Sequence, residues 1–166
     1  MDIHTLRDLL VEQIQDLYSA EDQIISALPD MIDAATDSEL QNALRTHLDE
    51  TRGQKERLER VGTLLDVDPD GPGCKAMKAI IEEGDKLVNQ GSEDDDVRDA
   101  AIIAAAQRVE HYEIAGYGTA RTFAQMLGEQ EVADLLSETL DQEKNADLTL
   151  TGIAEGHVNR QAIKGD

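Results

Sequence analysis

Apolar side chains recur along most of the chain at steps of three and four residues, a spacing that places them on one face of a helix. No segment of the sequence alternates apolar and polar residues in the way of a half-buried strand. Glycine, proline and acidic residues interrupt the pattern at residues 35–39, 66–73, 89–96 and 127–131. The sequence therefore predicts five helices, which lie near residues 3–35, 38–66, 74–89, 96–127 and 129–158.

Four of these helices are long and amphipathic, and such helices bury their apolar faces by packing together in a four-helix bundle. Short breaks join the first helix to the second and the fourth to the fifth, so each pair should form an antiparallel hairpin. The segment between the hairpins contains the short helix and is long enough to cross the bundle from end to end. We therefore predict an all-α, ferritin-like four-helix bundle, formed by a single domain over residues 1–166, with a short fifth helix in the long crossover.

Each long apolar stripe is interrupted near its middle by polar side chains. The interruptions are Glu21 in the first helix; His47, Thr51 and Gln54 in the second, with Glu50 one step to the side; Glu110 and Glu113 in the fourth; and Glu143 and Asp147 in the fifth. The middles of antiparallel helices lie at the same level of a bundle. The sequence therefore predicts one acidic layer inside a core that is otherwise built from leucine, isoleucine and alanine.

A buried acidic layer needs compensation, because an isolated buried carboxylate is strongly disfavoured and neighbouring carboxylates repel one another. The carboxylates could take up protons, pair with buried cations or bind metal. No lysine or arginine interrupts the stripes at this level, although Arg52 and Arg108 lie nearby, so metal binding is the strongest compensation. Oxygen-rich sites with one nitrogen suit iron or manganese, and also magnesium or calcium. The alternative is that these glutamates are solvated, as expected for Glu12 and Glu155.

The whole chain is strongly acidic, with 36 acidic against 15 basic residues and a formal net charge of −21. Such a charge repels nucleic-acid phosphate and anionic lipid, so we expect neither nucleic acid nor a membrane as a partner. It indicates a halophilic protein, in which salt screens the repulsion between carboxylates; the alternative is an acidic protein from an ordinary environment. The N-terminal residues lack the pattern of a secretory signal and no apolar run is long enough to span a membrane, so we expect a cytoplasmic location.

Four stretches resemble the YciE/YciF-type ferritin-like family, in the same order along the chain. They are LYSAEDQIISALPDM (17–31), HLDETRGQKERLE (47–59), VEHYEIAGYGTARTFAQMLG (109–128) and LLSETLDQEKNADLTLTGIAEG (135–156). The resemblance covers nearly the whole chain, and its motifs VEHYEIAGYGTA and HLDETRGQ are long and specific. It implies a ferritin-like bundle whose subunits form dimers, a carboxylate site for two metal ions and a link to stress responses.

The resemblance also implies which residues bind metal. It assigns ligand roles to Glu21, Glu50, Glu110, Glu113 and Glu143. The wider superfamily carries a histidine three residues after the glutamates of the second and last helices, where this chain has Gly53 and Ala146, which cannot bind metal. Gln54 and Asp147 follow Glu50 and Glu143 by four residues, share a face with them and are the best substitutes.

Two further residues of the stripes could support such a site. His47 lies one turn before Glu50. It could bind metal, hold a carboxylate ligand by a hydrogen bond or pack as a core histidine, and we favour the last two together because ligands need outer support. Tyr117 lies one turn after Glu113 and could hydrogen-bond a ligand or supply an electron to an oxidised centre, although ordinary packing at the edge of the core is favoured.

We therefore expect a stress-response protein, a homodimer, that holds two metal ions within the bundle, iron or else manganese. Reduced iron would be oxidised there by oxygen or peroxide, in a di-iron oxidase-like or peroxidase-like reaction. The missing histidines weaken the parallel with rubrerythrin-like and ferroxidase chemistry. The alternative is a non-enzymatic structural stress protein, whose dimer or larger assembly is the function and whose metal is structural or absent.

Overall fold

The computed structural model describes residues 2–90 and 93–163. Its helices are α1 (Leu6–Ala34), α2 (Ser38–Leu65), α3 (Lys75–Gln90), α4 (Asp95–Leu127), α5 (Gln130–Ile153) and α6 (Asn159–Ala162). A π-helical turn over Ala154–Val158 joins α5 to α6. The described residues contain no strand, so the all-α prediction is confirmed.

The two ends of the predicted helical pattern differ from the structure. The first helix begins at Leu6 rather than near residue 3, because Thr5 and Asp8 form a capping box. The amide of Asp8 donates to Thr5 Oγ1 over 3.1 Å, and the amide of Thr5 donates to Asp8 Oδ2 over 2.8 Å. Ile3 therefore lies before the helix and is 46 % exposed. At the other end, the helix does not stop near residue 158 but continues through the π-helical turn into α6.

The four long helices form a bundle in which α1 packs against α2 and α4, while α5 packs against α4 and α2. The predicted antiparallel hairpins α1–α2 and α4–α5 are confirmed, and the crossover between them carries α3, which packs mainly on α4 and also touches α1. No helix in the described ranges is both long and apolar enough to cross a bilayer.

The apolar core of the bundle is divided into two clusters. The first includes Ile24, Leu28, Leu44, Ile102, Ile103 and Leu150. The second includes Leu10, Ile14, Leu58, Val61, Ala124 and Leu136. Because each long helix contributes its two halves to different clusters, the residues at the middle of every helix lie between them. That level holds the polar residues that interrupt the stripes.

The turn between α1 and α2 is anchored to α4 by Asp99, a carboxylate that is only 2 % exposed. Its oxygens accept hydrogen bonds from the Thr36 amide over 2.8 Å, the Thr36 hydroxyl over 2.7 Å and the Asp37 amide over 2.7 Å. Asp37 in turn caps α2 by accepting from the Leu40 amide over 2.9 Å. The anchor fixes the first hairpin against α4 and so sets the level at which their mid-helix residues meet.

Replacing Asp99 by alanine should destabilise the protein by about 2–3 kcal/mol, because hydrogen bonds to a buried charged group are strong and the freed amides lose their acceptor. Denaturant unfolding followed by circular dichroism measures this change. Asp96→Ala is the control, since Asp96 is an exposed acid on the same helix, and it should change the free energy of unfolding by less than about 0.5 kcal/mol. Equal effects of the two substitutions would contradict the assigned role of Asp99.

Candidate metal centre

The acidic layer lies between the two apolar clusters and is withdrawn from solvent. Its members Glu21, Gln54, Glu110, Glu113 and Glu143 come from all four long helices, and each is at most 1 % exposed. Each side chain faces inward because it occupies a position of the apolar stripe of its own helix. The two carboxylates of α4 point the same way, since residues three apart share a helix face.

The side chains of the layer whose ligand atoms lie closest together are those of His47, Glu110, Glu113 and Glu143, which we call the buried cluster. One ligand atom from each of them lies within 4.8 Å of the others. His47 Nε2 is 3.2 Å from Glu110 Oε1, but the two atoms are not aligned for a hydrogen bond. Among the described residues, neither ring nitrogen of His47 has a hydrogen-bond partner. Three carboxylates and one imidazole nitrogen therefore face a common space.

Glu21 extends the buried cluster on the side of α1. The Tyr117 hydroxyl donates a hydrogen bond to Glu21 Oε1, while Glu21 Oε2 has no partner among the described residues. Burial raises the pKa of Glu21 well above its usual range, and the neighbouring charge of Glu143 adds to the rise. Tyr117 therefore supports a ligand candidate through a hydrogen bond and is fully buried, whereas the sequence favoured ordinary packing at the edge of the core.

The other carboxylates of α4 are perturbed in the same direction. Burial raises the pKa of Glu113, and the charges of Glu21 and Glu143 raise it further. Burial also raises the pKa of Glu110, which Glu143 reinforces. The raised pKa values favour the protonated carboxyl groups over the carboxylates, and cation binding would release those protons.

The layer contains many oxygen acceptors without a donor. Within the described residues, buried oxygens that lack a hydrogen-bond partner are Glu21 Oε2, Gln54 Oε1, Glu110 Oε2, Glu113 Oε1 and Oε2, and Glu143 Oε2. Unpaired buried polar atoms are costly, and native proteins satisfy nearly all of them. These oxygens converge from four helices at one level, which is the donor set that a hard or borderline divalent cation requires.

Gln54 is oriented by hydrogen bonds to two side chains of α5. Its side-chain amide donates to Glu143 Oε1 and, over 3.4 Å, to Gln142 Oε1. Arg57 holds Gln142 by a hydrogen bond of 3.0 Å from Nη1 and also donates to the Thr139 hydroxyl over 2.8 Å. With both amide hydrogens engaged in this way, the carbonyl oxygen of Gln54 is left to act as a ligand.

The structure does not bring Glu50 and Asp147 into the buried cluster. Glu50 is half-buried and lines a cavity of about 170 Å³ between α2 and α5, which we call the polar cavity. Burial raises the pKa of Glu50, although the nearby His47 opposes the rise. Asp147 Oδ1 accepts a hydrogen bond of 2.9 Å from Gln107 and lies 3.3 Å from His111 Nε2. Their roles as ligands stay predictions.

The positions that lack the superfamily histidines are open. A Cβ atom on Gly53 would meet no other heavy atom within 4 Å among the described residues. Ala146 lines the polar cavity together with Glu50 and Glu110. His47, which reaches the buried cluster from one turn earlier on α2, supplies an imidazole at a different position. The only signal in the sequence that His47 reaches the buried cluster was its position in the apolar stripe. That position does not distinguish a metal ligand from a core histidine.

Replacing Tyr117 by phenylalanine should destabilise the metal-free protein by about 1–3 kcal/mol, because it leaves a buried acceptor of Glu21 unpaired. The free energy of unfolding from urea titration measures the loss. Tyr18→Phe is the matched control, because the one hydrogen bond of the Tyr18 hydroxyl within the described part of the chain is an exposed bond of 3.2 Å to Glu59. If both variants unfold like the parent, the hydrogen bond between Tyr117 and Glu21 does not support the layer.

Comparison with known proteins shows which proteins this chain is similar to. The family described as "Domain of unknown function (DUF892)" matches residues 5–163. Protein YciF of Escherichia coli strain K12 is 42 % identical over 163 residues, which make up 98 % of each chain. The solved structure of this E. coli stress protein superposes with a TM-score of 0.89 at 43 % identity, over 95 % of this chain and 99 % of YciF.

Two other solved structures share the fold. YcfI from Rhodopseudomonas palustris is 44 % identical, with a TM-score of 0.87 over 90 % of this chain and 95 % of YcfI. A protein from Xanthomonas campestris is 22 % identical, with a TM-score of 0.75 over 97 % of this chain and 99 % of that chain, and shows the fold alone. The ferritin-like arrangement of helices is therefore shared by relatives that differ at most positions of the sequence.

Proposed function

This chain belongs to the family described as Domain of unknown function (DUF892), with YciF among its relatives, and from that premise and its buried layer we propose that it is a metal-binding stress protein. In this proposal the layer holds two metal ions, iron or else manganese, and oxidises ferrous iron with oxygen or peroxide. The observation that carries the proposal is the convergence of unpaired buried oxygens from four helices at one level. The link to stress rests on the description of the E. coli relative as a stress protein.

The residues of the layer have different roles in the proposed metal site. His47, Glu110, Glu113 and Glu143 would hold one cation, since their ligand atoms already lie within 4.8 Å of one another. Glu21 would hold the second with carboxylates shared from α4 and α5, and the carbonyl oxygen of Gln54 is free to contribute. Glu50 and Asp147 are nearby carboxylates that could join on small side-chain movements. Tyr117 and Arg57 orient ligands rather than contact the metal.

Bound ferrous iron would supply the electrons. Two ferrous ions would lose one electron each and, with two protons, would convert dioxygen to hydrogen peroxide. With peroxide as the oxidant, the same two electrons and two protons would convert hydrogen peroxide to two waters. The chain supplies what surrounds that exchange. Its carboxylates balance the increased charge of ferric iron, and the apolar clusters on both sides exclude bulk water from the layer. The exposed acids of the remaining surface favour the approach of cations.

The proposed reaction is tested by loading the purified protein with ferrous iron without oxygen and then adding dioxygen or hydrogen peroxide. We expect ferric absorbance to appear while the oxidant is consumed in proportion to the bound iron. A protein that binds iron but consumes neither oxidant would refute the redox activity. If the fold, stability and assembly of the metal-free protein also equal those of the loaded one, the structural alternative replaces our proposal.

Three further proposals concern the oligomeric state, the location and the salt adaptation of the protein, and they do not depend on the layer. We propose a homodimer in the cytoplasm, on the resemblance to the YciF-type family, and adaptation to high salt, on the net charge of −21. Sedimentation velocity at low and at molar salt concentration tests the dimer, and urea unfolding at the same salt concentrations tests the adaptation. A monomer at every salt concentration would contradict the dimer, and full stability without added salt would contradict the adaptation.

The metal-free protein should lose stability as the pH rises above about 4.5, the ordinary pKa of glutamate. The raised pKa values of Glu21, Glu110 and Glu113 mean that the folded chain binds protons more tightly than the unfolded chain. Their contribution is therefore fully present below the unfolded pKa and disappears as the pH rises through the folded values. Urea unfolding across pH 4–8 measures the trend, on the order of 1 kcal/mol per proton and pH unit.

The loaded protein should show the opposite trend, because bound cations keep these carboxylates deprotonated and binding releases protons. Glu113→Gln is the control that separates the layer from the acidic surface. It removes one titrating group from the core and should flatten the decline of the metal-free protein at constant salt. An unchanged decline would assign the pH dependence to surface repulsion instead.

A further inference from the structure

A second cavity reaches the layer from the opposite side to the polar cavity. It holds about 30 Å³ of free space, enough for a very small molecule, and lies between α1, α3 and α4. We call it the apolar cavity. His47 and Glu110 line both cavities, so the two spaces approach the buried cluster at the same pair of residues.

The walls of the apolar cavity are almost entirely hydrocarbon. Ile24, Leu28, Ala105, Ala106 and Val109 form its buried part, and half-buried Ala27, Met31 and Ile81 form its outer part. Asp85 is the exposed polar residue at its mouth. Between this mouth and the buried cluster, the described lining offers no polar side chain, and the thioether of Met31 is only a weak hydrogen-bond acceptor.

The crossover helix determines the width of this cavity. Gly84 of α3 faces α4, and a Cβ atom there would lie 3.0 Å from the Cβ of Ala105. The absence of a side chain at Gly84 therefore allows α3 to pack closely on α4, while the larger Ile80 and Ile81 cover the space beside it. The cavity is a feature of the long crossover, since α3 provides one of its walls.

The polar cavity has a different chemical character. Its lining includes Glu50, Asn145, Thr46 and Thr149 beside His47 and Glu110, together with the apolar residues Ala43, Leu44, Ala146 and Leu150. Carboxylate, amide and hydroxyl oxygens suit a hydrated cation or hydrogen peroxide, which need hydrogen-bond partners. The walls of the apolar cavity instead favour a small molecule that makes no hydrogen bonds, and they exclude water. Dry apolar cavities of this kind bind gases such as xenon.

We propose that the apolar cavity is the binding and access site for dioxygen, and that cations reach the layer separately through the polar cavity. This inference rests on the proposed function, and of the two proposed oxidants it assigns dioxygen to the apolar cavity. The two reactants meet at His47 and Glu110, which separate the cavities. Dioxygen thus approaches the metal site without crossing the acidic surface or the cation path.

The site can be tested without metal, by exposing crystals of the metal-free protein to xenon under pressure. We expect xenon density between α1, α3 and α4, next to Ile24 and Ala106. In an Ala27→Leu variant the longer side chain projects into the outer part of the cavity, and the density should be lost or strongly reduced. Xenon bound only elsewhere, or bound equally in the variant, would overturn the proposed binding site.

Ala43→Leu provides a matched control, because Ala43 is a half-buried alanine of a long helix that lines the polar cavity instead. It should leave xenon binding unchanged and slow the uptake of ferrous iron. Ala27→Leu should leave iron uptake unchanged and slow the reaction of the loaded protein with dioxygen by about tenfold, because the added methylenes crowd the path. Its reaction with hydrogen peroxide should keep the parent rate.

Two outcomes are distinguishable. Xenon binding with no ferrous uptake would refute the proposed function but leave the gas site standing. Iron oxidation by dioxygen at the parent rate in Ala27→Leu, with the fold intact by circular dichroism, would refute the access role. If Ala27→Leu fails to fold, Ala27→Val narrows the same space with a smaller side chain, and it should slow the dioxygen reaction alone.

Discussion

Replacing Glu110 and Glu143 together by alanine is expected to abolish the binding of ferrous iron within the bundle. The two carboxylates belong to the buried cluster and come from helices that pack against each other, so their removal opens one side of the site. Loss of even an outer hydrogen-bond partner weakens metal binding by about 10–100-fold, and loss of two direct ligands should exceed this. Anaerobic titration with ferrous iron, followed by metal analysis after gel filtration, measures the effect.

The control for this double variant removes two exposed glutamates, Glu82 and Glu155, and so changes the net charge by the same amount. It should bind iron like the parent protein, because the acids of the surface hold cations only weakly. Equal binding by the parent and the Glu110→Ala, Glu143→Ala variant would mean that iron binds outside the layer. If both variants lost iron binding equally, iron would be held by general attraction to the acidic surface and not by the layer.

Replacing Glu113 by leucine is expected to stabilise the metal-free protein and to destabilise the loaded one. Both carboxylate oxygens of Glu113 are buried without a hydrogen-bond partner among the described residues, so the metal-free fold carries their cost. A leucine of similar size removes that cost and should raise the free energy of unfolding by about 1–3 kcal/mol. With metal present the same substitution deletes a ligand, and the stabilisation that binding gives the folded state should fall.

Thermal unfolding of both proteins with and without divalent metal measures this reversal. The metal-free variant should melt higher by about 2–4 °C for each kcal/mol gained. Glu82→Leu, at an exposed position, should leave the order of the two states unchanged. A lower melting temperature of metal-free Glu113→Leu would show that Glu113 is satisfied in the folded chain and is not held for a cation.

Such a reversal is expected when residues are placed for binding a ligand at the expense of the stability of the ligand-free protein. A core built only for stability would continue leucine and isoleucine through the middle of each helix, as the first and second clusters do. The layer instead places groups there that are favourable only with a partner. The raised pKa values of Glu21, Glu110 and Glu113 express the same cost as a preference for protons when no cation is bound.

The sequence predicted the helices and their pairing because both depend on local signals. Apolar residues at steps of three and four gave the faces, and glycine, proline and acidic breaks gave the turns. The start of α1 was placed too early because Ile3 fits the stripe, whereas the capping box of Thr5 and Asp8 starts the helix at Leu6. The continuation through the π-helical turn has no comparable signal in the residue pattern.

The acidic layer was also predictable, because in a bundle the level of a residue follows from its distance along each helix. Which polar residues meet was harder to predict. Glu50 and Glu143 both fit the family pattern, yet Glu143 is fully buried while Glu50 is turned toward the polar cavity. Asp147 shares a face with Glu143 but is held by Gln107. Such differences of one helical step depend on the rotation of each helix, which a single sequence does not specify.

The central claim is that the acidic layer is a metal centre, and the location of bound iron tests it most directly. Crystals of the protein loaded anaerobically with ferrous iron would be measured on both sides of the iron absorption edge. We predict anomalous density inside the bundle, bounded by Glu110, Glu113 and Glu143, with Glu21 and His47 beside it. Iron density confined to surface carboxylates, with none between the two apolar clusters, would contradict the account.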